Sequence, residues 1–230
     1  MEKYSLDVNK KFNLDDLAKR LQPEYQSIFK KKFQASIDKN KKIRVYADGC
    51  FDMFHFGHSR LFKQIKDLHP NIYLIVGVCS DADMVSHKGT FVMGEKERCE
   101  SVIHCKWVDE LHFPAPWVPT IEFMKEKNFE YIAHDTIPYS NPENDDCYYP
   151  MKKAGLFLPT LRTEGVSTSD LLTRILKDRD QYYKKILKKG VSRDKVNLNY
   201  LEYLFIQMKG VMNTVETCLK SDPSGTKKNE

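Results

Sequence analysis

Apolar and amphipathic stretches alternate through the middle of the chain, and the alternation predicts a parallel α/β sheet. Strand patterns stand at IRVYADG, NIYLIVGVCS, WVDEL, YIAHD and GLFLPTL, the second so continuously apolar that it reads as buried on both faces. Between them, Leu61, Phe62, Ile65 and Leu68 share a helical face ahead of Pro70, and a helix from Glu95 turns Cys99, Val102 and Ile103 inward. TIEFMKEKN and STSDLLTRILKD supply two more helices, while DADMVSHKGTFVM reads as a polar loop and a longer polar loop follows YIAHD.

The flanks have a different texture. Leu14, Leu17 and Leu21 recur at helical spacing behind Asn13, an N-cap residue, and Phe29, Phe33 and Ile37 repeat the spacing with Lys30, Lys31 and Lys32 on a solvated face. Toward the other end Leu198, Leu201, Leu204, Phe205, Met208, Val211, Met212 and Val215 form one long apolar stripe, expected to pack on the core or on a second subunit. The pattern divides the chain into a helical extension (1–42), an α/β domain (43–180), a helical segment (181–220) and a polar tail expected to be disordered (221–230).

Composition adds constraints rather than a function. A chain of 230 residues can bury one good core, and a net charge of +5 spread over it suits an anionic ligand without demanding nucleic acid. The six cysteines form no CxxC pair and fall mostly in apolar stretches, so they read as reduced thiols of a cytoplasmic protein rather than a disulfide frame or a metal site. MEKYSLDVNKKF lacks the apolar region of a signal peptide, and the run IYLIVGV is too short to span a bilayer.

Candidate chemistry concentrates in CFDMFHFGHSR, which falls where the first strand gives way to the first helix. In an open parallel sheet ligands bind at the carboxyl ends of the strands. A helix N-terminus there offers unpaired N–H groups to phosphate. His55 and His58, three residues apart, project on one side of that turn, and Gly57 lets the backbone come close to a ligand. The residues alone also allow two packed histidines; a metal site lacks further ligands at the right spacing.

HFGH after YADGCFDMFH resembles the H-x-G-H signature of the nucleotidylyltransferases, and RTEGVSTSD, Arg162 to Asp170, resembles the second signature of their cytidylyltransferase branch. HCKWVDEL, APW, AHDTIPYS and DDCYYPMKKAG resemble intervening blocks of the choline-phosphate cytidylyltransferases, so that the likeness runs over roughly residues 43–180. The resemblance implies a Rossmann-like open sheet. It also implies transfer of CMP from CTP to phosphocholine, by in-line attack of the phosphocholine phosphate on the α-phosphorus of CTP, giving CDP-choline and pyrophosphate for phosphatidylcholine synthesis. Such chemistry needs positioning and charge neutralisation more than a protein nucleophile.

Roles follow by motif. The resemblance places the backbone of Cys50 and Phe51 against CTP, gives His55 and His58 the triphosphate, and makes Lys88 a bridge between the phosphates of both substrates. It assigns His134, Arg162, Thr163, Val166 and Thr168 to CTP, with His55, His58, Lys88 and Arg162 as the catalytic set. Leu161 departs from the family, which often carries glutamine there. A trimethylammonium donates no N–H hydrogen bond and is held by aromatic faces and carboxylates. Trp117, Tyr139 and Tyr148 with Asp48 and Asp135 match the family's choline positions, with Tyr149 as the neighbour to distinguish from Tyr148. Also implied are magnesium arriving with CTP, no resident metal, and a homodimer.

Three other readings differ in what they require. Ethanolamine-phosphate cytidylyltransferases usually carry two copies of the domain, and glycerol-3-phosphate cytidylyltransferases are shorter and lack the aromatic set. A non-catalytic nucleotide-binding module would be expected to lose a signature His, Lys or Arg, all of which are present. A membrane-surface role for the C-terminal stripe would need a strongly basic face, and Glu202 and Glu216 lie in it, so membrane contact is not expected of this chain.

Overall fold

Five parallel strands, β1 (Ile43–Gly49), β2 (Ile72–Cys79), β3 (Glu110–Ala115), β4 (Tyr131–Asp135) and β5 (Phe157–Thr160), form one sheet in the order β3-β2-β1-β4-β5 in a computed structural model that describes residues 11–139 and 145–208. β1 lies at the centre because its neighbours cover both edges, from Ile43↔Ile72 to Gly49↔Val78 on one side and at Val45↔Tyr131 on the other. The chain runs outward from β1 through β2 to β3, then returns to lay β4 beside β1. The switch point of this Rossmann-like sheet therefore falls between the carboxyl ends of β1 and β4, where a ligand crevice is expected.

Seven α-helices precede or join these strands among the described residues, α1 (Leu14–Ala18), α2 (Pro23–Asp38), α3 (Phe56–Asp67), α4 (Asp81–Lys88), α5 (Glu95–Ile103), α6 (Ile121–Glu126) and α7 (Tyr149–Lys153), and α8 (Thr168–Lys177) and α9 (Arg179–Lys188) follow β5 in the chain. Two of them depart from the sequence pattern. α4 occupies the stretch read as a polar loop: Ser80 caps it by accepting the Asp83 N–H at 3.1 Å, and Met84 is its one buried residue. α7 lies within the long loop after β4. α5 also turns differently from the expectation, because Arg98 and Val102 are its buried residues and Ile103 is exposed. β3 begins at Glu110, later than WVDEL suggests, because Val108 closes a turn onto the Cys105 carbonyl first.

The described residues up to Thr168 form one compact unit and those from Ser169 onward a second. In the first, α1 and α2 are part of the core beneath the sheet. Leu17, Ala18, Leu21, Phe29 and Phe33 join the cluster that holds Val45, Ile132, Phe157 and Leu158. Asn13 caps α1 through the Asp16 N–H at 2.8 Å. Phe29 and Phe33 meet the Tyr131 ring edge-on at 6.1 and 5.3 Å, and Ser36 Oγ lies 3.0 Å from the Tyr131 hydroxyl. Lys31 and Lys32 stay on the solvated face.

In the second unit α8 and α9 are followed by a short 3-10 turn at Arg193–Val196 and by helix over 200–208. Of the C-terminal stripe, Leu198 is buried along with Ile206, whereas Leu201, Phe205 and Met208 are exposed. Val211, Met212, Val215 and the tail 221–230 lie outside the described residues.

Phe33→Ala checks whether α2 belongs to the core. Truncating a fully buried Phe costs about 3–5 kcal/mol, so a urea titration followed by circular dichroism should show a correspondingly lower midpoint for the whole α/β unit. An unchanged midpoint would mean that α2 is a detachable appendage.

Candidate active site

The loop after β1 is shaped by two close approaches. A side chain at Gly49 would stand 2.9 Å from the Phe51 ring, so the glycine is what lets that ring fold back. Phe51 is then 4% exposed, packed on Phe62, with its own backbone held at φ 54. Gly57 acts the same way for His55: a Cβ there would meet the His55 ring at 2.9 Å and Val166 Cγ1 at 3.0 Å. The expectation from sequence gave Gly57 to ligand approach; the structure adds that it makes room for an imidazole.

That room lets both histidines cap α3. His55 Nδ1 accepts the Gly57 N–H at 3.1 Å, and His58 Nδ1 accepts the His55 N–H at 3.3 Å. With each Nδ1 acting as an acceptor, each neutral ring carries its proton on Nε2, leaving a donor aimed away from the helix. The rings stack at 3.9 Å and 18°, and His58 is further enclosed by Phe54 at 5.4 Å and Phe51 at 5.3 Å. Burial first, and then the nearby charges of His55 and Lys88, push the His58 imidazolium down to about 3. His58 is therefore neutral at ordinary pH, a donor that brings no proton to lose.

The second motif folds onto the first. Val166 is buried against Gly57, and Thr168 Oγ donates to the Asp52 carbonyl at 2.8 Å. Leu161, the departure from the family pattern, is held by its backbone: Gln64 donates to its carbonyl at 2.8 Å and accepts its N–H at 2.7 Å. Beneath the site the Asp52 carboxylate accepts the N–H groups of Val92 and Met93 at 3.0 and 2.8 Å. Beside it Arg98, with no exposed surface, donates to the Cys50 carbonyl and to Asp81, both at 2.8 Å, and to the Met93 carbonyl at 3.1 Å.

At the ends of β1 and β4 lies a second cluster. The Tyr148 hydroxyl donates to the Asp48 carboxylate at 3.1 Å, and the Tyr139 hydroxyl to Asp135 at 3.3 Å. His134 stacks on Tyr148 at 4.8 Å and meets Tyr139 edge-on at 4.8 Å. Burial raises the Asp48 carboxyl above its usual range, outweighing the pull of His134 and the Tyr148 hydrogen bond. Burial opposes charge on His134, but the Asp135 hydrogen bond and the charges of Asp48 and Asp135 together raise its pKa. Tyr148 is 4% exposed and Tyr149 47%, so Tyr148 is the one of the pair that faces Asp48.

A cytidylyltransferase-like family model matches residues 46–174, more than half of the chain. The chain belongs to the cytidylyltransferase-like family. Choline-phosphate cytidylyltransferase A of Homo sapiens is 50% identical over 161 residues, 70% of this chain and 44% of that protein, and choline-phosphate cytidylyltransferase of Saccharomyces cerevisiae is 43% identical over 183 residues, 80% and 43%. The ethanolamine-phosphate cytidylyltransferase of Dictyostelium discoideum is 42% identical over 138 residues, 60% and 38%. The chain thus spans about half the length of the curated relatives it matches, or less.

Within this cytidylyltransferase-like domain the residues singled out from sequence fall into three groups. Cys50, Phe51, His55, His58, Val166 and Thr168 gather around the start of α3. Lys88, exposed at the end of α4, faces Cys50 and His58. Asp48, His134, Asp135, Tyr139 and Tyr148 gather at the switch point, with Arg162 facing Asp135 and Tyr139 from the loop after β5 and Thr163 next to it in that loop. Trp117 stands apart: its ring contact is with His87 on α4, stacked at 4.2 Å and 12°, rather than with either tyrosine. Arg98, Asp52, Gln64 and His87 are the participants that the sequence reading missed. Among the described residues no cluster of three His, Cys, Asp or Glu is placed to hold a metal ion, and no helix is long and apolar enough to cross a membrane.

The His58 environment sets a pH dependence of stability. The unfolded ring titrates near 6.5 and the folded one near 3, so between these values the unfolded chain binds a proton that the folded chain refuses. The contribution is complete above the unfolded pKa and is lost as pH falls toward the folded one. Urea midpoints measured from about pH 7 down to about pH 5 should therefore fall more steeply for the native chain than for His58→Gln. Parallel slopes would show that His58 is not held neutral by its surroundings.

Proposed function

We propose that the chain transfers CMP from CTP to phosphocholine, releasing pyrophosphate and forming CDP-choline for phosphatidylcholine synthesis. The observation that carries this reading is the folding of the second motif onto the first. Val166 lies on Gly57 and Thr168 on Asp52, so both signatures surround one helix N-terminus at the carboxyl end of β1. The names of the relatives support the same reaction.

In this reading the triphosphate lies against the N-terminus of α3, with the backbone of Cys50 and Phe51 and the side chains of His134, Arg162, Thr163 and Thr168 around the nucleotide. The Nε2–H groups of His55 and His58 donate to phosphate oxygens. Because His58 is neutral and fixed by its Nδ1 bond, it stabilises charge that develops on the α-phosphate without reorganising. Lys88 lies between the incoming phosphocholine phosphate and the nucleotide. Arg162 neutralises charge on the same side. Magnesium enters as part of the substrate, carried on the triphosphate; its preference for phosphate oxygens and retained water suits a domain without a dedicated cage.

Asp48 and Asp135 with Tyr139 and Tyr148 hold the trimethylammonium. Burial makes the ionised Asp48 costly, and a bound quaternary cation repays that cost without needing a hydrogen bond. The reading also gives Trp117, one face of which stacks on His87, to the trimethylammonium. The reading includes a cytoplasmic homodimer, which light scattering at micromolar concentration should report as twice the chain mass; a strict monomer would remove that part alone.

The decisive assay is formation of CDP-choline from CTP and phosphocholine, with phosphoethanolamine as competitor. His58→Ala should lower kcat about 10²–10³-fold, the usual effect of losing one preorganised donor. Tyr139→Ala should raise the phosphocholine KM by about thirtyfold, since a desolvated cation–π contact contributes about 2 kcal/mol, and leave the KM for CTP unchanged. No CDP-choline under any condition, or equal use of phosphoethanolamine, would overturn the substrate assignment.

A further inference from the structure

Two cysteines at the floor of the site have no part in the proposed reaction beyond the Cys50 backbone. The register of β1 and β2 ends at Gly49↔Val78, so Cys50, the first residue after β1, and Cys79, the last residue of β2, each stand one step beyond that final pair. Neighbouring strands lie about 4.8 Å apart, within the Cα separation of roughly 4.4–6.8 Å that a disulfide bridges. The two thiols are close enough to shift one another's titration, Cys50 downward and Cys79 upward. One nitrogen of the buried Arg98 holds both residues, 2.8 Å from the Cys50 carbonyl and 3.6 Å from Cys79 Sγ. Cys79 is 4% exposed and Cys50 half-buried, so a small oxidant reaches Cys50 first.

We propose that Cys50 and Cys79 form a reversible oxidation site, at which a peroxide converts the pair to a disulfide that closes the nucleotide site. Cys50 is the attacking sulfur. The neighbouring Cys79 thiol lowers its pKa most, against the opposing effect of burial, and Lys88 and Arg98 add to it. Its thiolate attacks one oxygen of hydrogen peroxide, forming a sulfenic acid and releasing hydroxide, which takes up a proton to become water. The Cys79 sulfur then attacks the sulfenic sulfur, giving up its proton and expelling the second water. Two thiols lose two electrons and two protons in all, and one peroxide becomes two waters. The other described thiols are poorer nucleophiles or lack a partner on the next strand: burial raises Cys99, and raises Cys147 to about 11. The crosslink pins the loop after β1 to the end of β2 and takes from Lys88 the sulfur that it faces.

The test uses the whole chain, treated with a molar excess of hydrogen peroxide. Remaining thiols are alkylated, and the protein is digested without reductant for mass spectrometry. A Cys50–Cys79 peptide pair that disappears with dithiothreitol is the expected result. Turnover should fall about tenfold or more, as small misplacements at a reacting centre do, and dithiothreitol should restore it. In Cys79→Ala the same dose should leave Cys50 as a sulfenic acid that dimedone captures. Recovery of both residues as alkylated thiols, a disulfide to any other cysteine, or Cys50 over-oxidised beside a free Cys79 would each overturn the proposal. The crosslink is read by mass alone, so it stands or fails separately from the cytidylyl-transfer reading.

Discussion

The buried guanidinium of Arg98 is the interaction on which the site's architecture rests. An unpaired charge in the interior costs several kcal/mol, so its partners are fixed by necessity. They come from separate segments: the Cys50 carbonyl after β1, Cys79 at the end of β2, Asp81 at the start of α4 and the Met93 carbonyl ahead of α5. The Asp52 carboxylate complements it by holding the Val92 and Met93 N–H groups. A cation and an anion thus fasten the same short segment from two directions. Two of the segments that carry candidate phosphate ligands leave from this knot: the His55–His58 turn follows Asp52, and Lys88 ends the helix that Asp81 begins.

Above the knot the site has two electrostatic halves. One presents donors: two imidazoles whose Nδ1 atoms are engaged by backbone N–H groups, leaving Nε2 to face outward, with Lys88 beside them. The other presents acceptors and aromatic faces at the ends of β1 and β4, where Asp48 and Asp135 are each hydrogen-bonded to a tyrosine. A substrate carrying a phosphate at one end and a quaternary ammonium at the other suits that division. The cysteine pair lies under the donor half, which is why oxidation there would reach the nucleotide side first.

The strands were legible because period and apolar continuity are backbone-scale signals, and the two motifs were legible because their residue types are unusual together. α4 was not, since a helix with Met84 as its one buried residue carries no apolar stripe; the Ser80 cap was the one local signal it offered. Arg98 escaped for the opposite reason. It occupies a core position, in helical step with Val102, but a charged residue is read as surface unless its partners are known.

Sequence alone determined the α/β class and the family, and it named the candidates for phosphate and choline, because these depend on local pattern and motif. Tertiary structure decided the rest. It buried Tyr148 against Asp48 while leaving the adjacent Tyr149 exposed, and it used the space at Gly57 for the His55 ring. It placed Trp117 on His87 and brought Cys50 beside Cys79. Each of these is a contact between segments distant in the chain or a choice between neighbouring side chains. Both depend on strand register and backbone direction in space, which no run of residues encodes by itself.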